Sequence, residues 1–225
     1  MTADIDVVIP SLNAARSLAT TLGSLGGDHG LHLSITVCDG GSCDATTTIA
    51  RQAGATVVLA EPGRGRQLAH GAAAGSAPWL LFLHADTILS NGWAATARRF
   101  MTDATAKAGY FRLRFASVDP RARRLERLVA WRCRIFGLPY GDQGLLIERG
   151  FYRQTGGFRT LPLMEDVDLV RRIGRRNLVA LDAEAITSAE RYERDGWLAR
   201  PIRNLSCLAL YFAGLSPNAI KRLYG

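Results

Sequence analysis

Three short stretches carry side chains able to do chemistry, and each sits where a secondary-structure element should end or begin. Cys38-Asp39-Gly40-Gly41-Ser42 follows one apolar run, and His84-Ala85-Asp86-Thr87 follows another. Met164-Glu165-Asp166-Val167-Asp168 opens a helix-like segment. In an open α/β sheet, ligands bind outside the carboxyl ends of the strands. Carboxylates gathered there hold a metal, hold a sugar or move a proton.

Each stretch has a plainer reading beside the chemical one. In Asp39-Gly40-Gly41-Ser42-Cys43-Asp44 the glycines permit a strand-to-helix turn, with Ser42 or Asp44 as N-cap. The chemical reading sets Asp39 against the donors of a base or ribose, with the glycines letting backbone approach that ligand. Gly63-Arg64-Gly65-Arg66-Gln67 is either a flexible basic loop or a phosphate contact at a helix N-terminus. His84 and Asp86 point the same way if the strand before them persists that far. Asp86 is then a hard oxygen ligand for Mg²⁺ or Mn²⁺, with His84 as a supporting group or weaker ligand, or else simply a cap. Glu165-Asp166 either compensates a helix dipole or supplies a base kept ionised by the helix N-terminus.

The elements that must position these residues alternate. Residues 6–10, 33–38, 56–59 and 79–84 read as strands, the first and last of them buried, and 15–25, 44–52 and 65–74 as the helices between them. That rhythm predicts an α/β fold with a mostly parallel central sheet and helices on both faces. Past Asp86 the rhythm changes: strands are expected at 109–115 and 144–147, and helices at 121–136, 164–175, 197–212 and 217–224. The reading is one domain over 1–225, with no linker, repeat or low-complexity segment.

Bulk composition fits that domain. The chain has 225 residues, 48% hydrophobic and 21% charged, which excludes a disordered protein. Its net charge of +8 suits an anionic partner: nucleotide diphosphate, nucleic acid or anionic lipid. Nucleic acid is disfavoured, because the basic residues are dispersed and no recognition motif occurs. Neither a Gly-x-Gly-x-x-Gly after the first strand nor a Walker A motif is present. The N-terminus lacks a signal peptide's basic start and apolar stretch, and no apolar run approaches the roughly 20 residues that span a bilayer. The expectation is a cytoplasmic protein whose membrane contact, if any, is peripheral at the inner face. Cys38, Cys43, Cys133 and Cys207 show no metal-ligand spacing and read as reduced, small apolar fillers.

Taken in order, the motifs resemble those of family 2 glycosyltransferases with the GT-A (Rossmann-like) fold. The resemblance rests on Val7-Val-Ile-Pro-Ser-Leu-Asn13, Asp39-Gly-Gly-Ser-Cys-Asp44, Leu81-Phe-Leu-His-Ala-Asp86, Gly156-Gly157-Phe158 and Glu165-Asp166-Val-Asp-Leu169. Gly63-Arg-Gly-Arg-Gln67, Leu138-Pro-Tyr-Gly-Asp-Gln143 and Thr187-Ser-Ala-Glu-Arg191 further resemble a subgroup named for arsenosugar biosynthesis. The resemblance implies a nucleotide-sugar-binding half over 1–88, an acceptor and catalytic half over 89–196, and C-terminal helices over 197–225. Donor contacts would come from Pro10, Asn13, Asp39, Gly41, Arg64, Arg66, Asp86 and Arg191, and acceptor contacts from Asp142 and Gln143. Asp86, with His84, would hold Mn²⁺ or Mg²⁺, and Asp166, with Glu165 beside it, would be the base. Three departures stand out: the family's Asp-x-Asp reads His84-Ala85-Asp86, Ala69 replaces the subgroup's Asn, and Glu190-Arg191-Tyr192 replaces its Arg-Arg-Trp.

The implied reaction is inverting transfer of a sugar from a nucleotide-diphosphate donor to an acceptor hydroxyl by single displacement, metal-assisted. The acceptor would be a small molecule or lipid-linked, and a homodimer is a further expectation. A nucleotide-sugar-binding regulator without turnover and a sugar nucleotidyltransferase are the alternatives; donor hydrolysis distinguishes the first, pyrophosphate release the second.

Overall fold

The computed structural model describes residues 3–27, 30–103 and 107–224; Met1 and Thr2, at the head of the N-terminal reading, lie outside the described residues. The chain begins β1 (Ile5–Ser11), α1 (Leu18–Leu25), β2 (Leu33–Asp39), α2 (Thr46–Gln52), β3 (Thr56–Leu59), α3 (Arg64–Ala74) and β4 (Trp79–Phe82). There follow β5 (Thr87–Leu89), α4 (Trp93–Met101), β6 (Ala108–Phe115), α5 (Pro120–Phe136), β7 (Leu145–Glu148), α6 (Arg149–Gln154) and α7 (Glu165–Ile173). The chain closes with β8 (Leu178–Thr187), α8 (Glu190–Asp195), α9 (Ala199–Phe212) and α10 (Pro217–Tyr224).

These strands form one eight-stranded sheet in the order β3-β2-β1-β4-β7-β6-β8-β5. The first four are mutually parallel, which makes β1 and β4 the switch point where the winding reverses. Next to β4 the sheet changes character: β7 runs antiparallel to both β4 and β6, β8 lies parallel to β6, and β5 antiparallel to β8. Leu145 at the start of β7 therefore pairs with Phe82 at the end of β4. The loop before β7 and the loop after β4 meet above the same edge.

Helices cover both faces. Ile5, Val7 and Ile9 of β1 pack with Leu18, Leu22, Ala97 and Phe100 on one side. Val8 and Cys38 pack with Leu68, Ala72, Leu169 and Ile173 on the other. All seven positions of β1 are buried, the expected state of a central strand covered twice. Its one carboxylate, Asp6, is met by buried Arg149, which also donates to the carbonyls of Ala72 (2.6 Å) and Ala77. Helix α3 lies so close to the sheet that a Cβ on Gly71 would fall 2.3 Å from Val8 Cγ1.

Several boundaries differ from the sequence reading. β4 ends at Phe82, so strand alternation does not carry through to His84 and Asp86, and Trp79 is only half-buried. Helix α2 starts at Thr46 because the Asp44 carboxylate takes the Thr46 N–H (3.0 Å) and holds the preceding residues in a turn. Helix α1 starts at Leu18, α9 at Ala199, and α7 ends at Ile173, where Gly174 at φ 78° stops it. Strands β5 and β8 and helices α4, α6 and α8 were not anticipated.

Candidate active site

One wall of the candidate site is built on the ends of β1 and β2. Asp39, 1% exposed, ends β2 and spends both oxygens on the turn that follows. Oδ1 accepts from the Gly41 and Ser42 N–H groups (3.0 and 2.8 Å), and Oδ2 accepts from the Ser42 and Ser11 hydroxyls (2.5 and 3.1 Å). Burial pushes its pKa up, but these hydrogen bonds outweigh that and hold it below the usual carboxylate value. Asn13, at φ 51°, knits the two loops: its N–H donates to Ser42 Oγ (2.8 Å) and its Oδ1 accepts from Cys43 N–H (2.9 Å). From α3, the Gln67 amide donates to the carbonyls of Ser11 and Cys38, both at 2.7 Å. Pro10 is buried within β1, opposite Cys38. Asp39 and Pro10 thus shape this wall, while Gly41 and Asn13 lie at its surface. Cys38, Cys133 and Cys207 are buried as the filler reading requires, but Cys43 is exposed.

The acidic side gathers four segments. Arg64, the first residue of α3, places Nε 3.2 Å from Glu165 Oε1 at the start of α7. Burial opposes its charge, and the fields of Glu165, Asp166, Asp142 and Asp86 more than offset that. Asp166 Oδ2 accepts from Gly141 N–H (2.9 Å), and its Oδ1 accepts from Val167 N–H (2.8 Å). Gly141 is squeezed here: a Cβ would lie 2.6 Å from His84 Nε2 and 3.5 Å from Asp166 Oδ2. Ser188, just past β8, donates to the Asp86 carbonyl (3.3 Å), and Arg191 three residues later bears electrostatically on His84.

Burial dominates the titration of this group. It pushes Asp142 up to about 6, with Asp166 and Asp86 adding to the rise and Arg132 opposing it. Glu165 is likewise pushed up to about 6 by burial and Asp166, against the pull of Arg64. At the helix start Glu165 thus titrates above the usual carboxylate value, because desolvation outweighs the dipole, and it remains mostly ionised at pH 7. Burial, with Arg64 and Arg191 nearby, pushes His84 down to about 3, so its imidazole is neutral at pH 7. Among the described residues, buried His84 Nε2 and Asp142 Oδ1 find no hydrogen-bond partner, and buried Glu165 Oε1 has only the ion pair with Arg64.

Some expected site residues are spent elsewhere. Gln143 is 1% exposed, and its amide is engaged within the fold. It donates to Phe111 O (3.1 Å) and accepts from Cys133 Sγ (3.2 Å) and Tyr140 N–H (3.3 Å). Arg66 pairs with Glu61 at the surface. Asp168 is tied to Arg159 and Arg172. Sequence reasoning gave no role to Tyr140, which carries the Arg132 guanidinium 3.5 Å above its ring beside Asp142, or to the clamp from Gln67.

The acceptor-rich lining suits a hard cation. Among the described residues no three His, Cys, Asp or Glu side chains stand together as ligands. That donor set fits Mg²⁺ or Mn²⁺ arriving with a diphosphate, since such ions take one or two carboxylates and complete their shell with phosphate and water.

The sequence profile of glycosyl transferase family 2 matches residues 6–165. No curated protein compared with the chain matches it in sequence at a significant level. Among solved structures, glucosyl-3-phosphoglycerate synthase from Mycobacterium tuberculosis with Mn²⁺ and UDP-glucose superposes with a TM-score of 0.57 at 20% identity, over 83% of this chain and 70% of that one. The same enzyme with Mn²⁺, UDP and glucosyl-3-phosphoglycerate gives 0.54 at 22% identity, with the same coverage. Residues 1–349 of S. aureus TarS in complex with UDP-GlcNAc give 0.58 at 12% identity, over 83% of this chain and 56% of that one. At these identities the likeness is one of fold, and that fold is the GT-A arrangement.

Proposed function

From the premise that the chain belongs to glycosyl transferase family 2, we propose that it transfers a sugar with inversion from a nucleoside-diphosphate donor to an acceptor hydroxyl. The observation that carries this reading is the meeting of Asp86, Asp142 and Asp166 with Arg64 and Arg191 beyond the ends of β4, β7 and β8. Diphosphate needs cations, and an attacking hydroxyl needs a base close by.

The nucleoside lies against the Asn13 and Gly41 surface that Asp39 and Gln67 hold in place. The diphosphate reaches toward Asp86, Arg64 and Arg191. Asp86 would hold Mn²⁺ or Mg²⁺ through the diphosphate, and the bound ion would supply charge neutralisation on the leaving group. The fold neighbours support this choice, having been solved with UDP or UDP-sugars and with Mn²⁺ or Mg²⁺.

Asp166 takes the proton from the acceptor hydroxyl, and the oxygen attacks the anomeric carbon from the face opposite the diphosphate. The bond to the diphosphate oxygen breaks as the new one forms, so the anomeric configuration inverts. The N–H groups of Gly141 and Val167 fix the Asp166 carboxylate in position. Arg64 and Arg191 stabilise the departing charge. Glu165, buried against Arg64, positions that arginine, and Asp142 beside Tyr140 faces the acceptor. Within the family the chain is assigned to the arsenosugar-named subgroup on Gly63–Gln67, Leu138–Gln143 and Thr187–Arg191 alone; no arsenic substrate is part of this reading.

The test is donor turnover across UDP-, GDP- and dTDP-sugars with Mn²⁺, and NMR assignment of the product anomer. Asp166→Asn should keep donor affinity and lose at least about 10²-fold in turnover. A retained anomer, or near-normal turnover at saturating acceptor, rejects the mechanism.

A further inference from the structure

The charge of this protein is concentrated on two segments, of which Arg132 of α5 reaches the candidate site while Arg124, Arg127 and Arg134 face solvent outside it. Helix α5 carries six arginines against one glutamate, and the residues from Gly196 onward carry four cations and no acid. Together these exceed the whole chain's net charge of +8. The single acid of α5, Glu126, is turned inward: it accepts from Phe115 N–H (2.7 Å) and pairs with Arg123 and Arg114.

What α5 leaves outside is a stripe at helical spacing: Arg124, Arg127, Leu128, Trp131, Arg134 and Ile135, all exposed. Trp131 is 56% exposed and Leu128 62%. Among the described residues, no carboxylate lies within ion-pair reach of Arg124, Arg127 or Arg134. Helix α9 presents a second apolar stripe of Ile202, Leu205 and Phe212. The two helices are tied together. Val129 and Cys133 share a cluster with Trp197, ahead of α9, and Leu138, just past α5, packs with Leu208. Apolar residues interleaved with unneutralised arginines are the pattern of a surface that rests on an anionic bilayer.

Other occupants fit less well. A two-fold dimer through this patch would set its arginines against the same arginines of the second copy, with no acid on the stripe to receive them. Nucleic acid would use the arginines but leave Leu128, Trp131 and Ile135 with nothing to cover them. We propose that the exposed faces of α5 and α9 dock the protein onto an anionic membrane surface, arginines at the phosphates and Trp131, Leu128 and Ile135 at the acyl boundary.

Flotation of the full chain with phosphatidylcholine vesicles, with and without roughly one-third phosphatidylglycerol, tests this. Binding should require the anionic lipid and fall about tenfold or more as salt rises from about 0.1 to 0.5 M, as screening demands. Each arginine neutralised among Arg124, Arg127 and Arg134 should weaken binding about fivefold, and Arg127→Ala with Arg134→Ala on the order of 25-fold. Trp131→Ala should weaken it separately, at any salt. These side chains are exposed and outside the cleft, so donor hydrolysis and melting temperature should stay unchanged. Three results overturn the proposal: no flotation at low salt, equal flotation with neutral vesicles, or a dimer in sedimentation that the Trp131→Ala change dissociates.

Discussion

Replacing Asp142 by asparagine should make the unliganded protein more stable at neutral pH while impairing transfer. Asp142 stands in a short turn beside Arg132, Asp86 and Asp166, with Oδ1 buried and unpartnered. Its pKa rises from 3.8 to about 6 on folding. Two units correspond to about 3 kcal/mol of unfavourable charge in the folded state. Asparagine leaves one acceptor still unpartnered, so about 1–2 kcal/mol should be recovered, a rise of roughly 2–8 °C in melting temperature for a chain of this size. The sign follows from the raised folded-state value. The penalty is complete above about pH 6 and absent below about pH 4, so this group's contribution to wild-type stability falls as pH rises between them. Glu165 contributes a slope in the same direction and His84, pushed down to about 3, one in the opposite direction over the same range, so the Asp142 contribution is read as the difference between variant and wild type at each pH. Denaturant titration in EDTA at pH 4 and pH 8 measures both. An asparagine variant no more stable at pH 8, or equally stabilised at both pH values, refutes the reasoning. With UDP and Mn²⁺ the gain should shrink, because the ion then offsets the repulsion.

Asp86→Ala should abolish Mn²⁺-dependent strengthening of UDP binding in a thermal-shift assay without unfolding the protein; an unchanged ligand shift removes Asp86 from the donor site. Gly141→Ala puts a methyl group 2.6 Å from His84 Nε2 and should lower kcat/KM at least tenfold (about 1.4 kcal/mol), with about 1–3 kcal/mol lost in denaturant unfolding from the overpacking. Gln67→Leu removes the donor shared by the Ser11 and Cys38 carbonyls and should cost about 1–2 kcal/mol in denaturant unfolding.

The first half of the fold was legible because its strands are short, rich in β-branched and apolar residues and bounded by turn residues: β3 has the expected bounds, and β1 and β2 differ by one residue or less at each end. Strand β8 was not, since Leu178–Thr187 carries Asp182, Glu184 and three alanines, poor strand formers that only pairing with β6 and β5 holds extended. Arg191 entered the expected site only through the family resemblance, because without β8 the pattern of residues gave no path that brings it near His84. Asp86, Asp166 and Arg64 could be put forward as candidates because charge beyond a strand or at a helix start is visible in sequence, and the structure brings both carboxylates within electrostatic reach of Arg64. The engagement of Asp39 and Gln143 was not visible, because it depends on partners up to 32 residues away. The same holds for the neutral state of His84 and for the Asp6–Arg149 pair, set by burial and by contact across 143 residues.

The Gln67 amide has a thermodynamic consequence. By bonding to one carbonyl on each of β1 and β2, it pins both strand tips before any ligand arrives. Asp39 and Asn13 do the same for the loops beyond them. If the proposed nucleoside sits on this wall, its binding should order little protein, and the entropy lost should be mainly the ligand's own. Calorimetry with the nucleoside alone should show a small heat-capacity change, set by the apolar area of one base. Amide exchange at residues 37–42 should already be slow in the free protein.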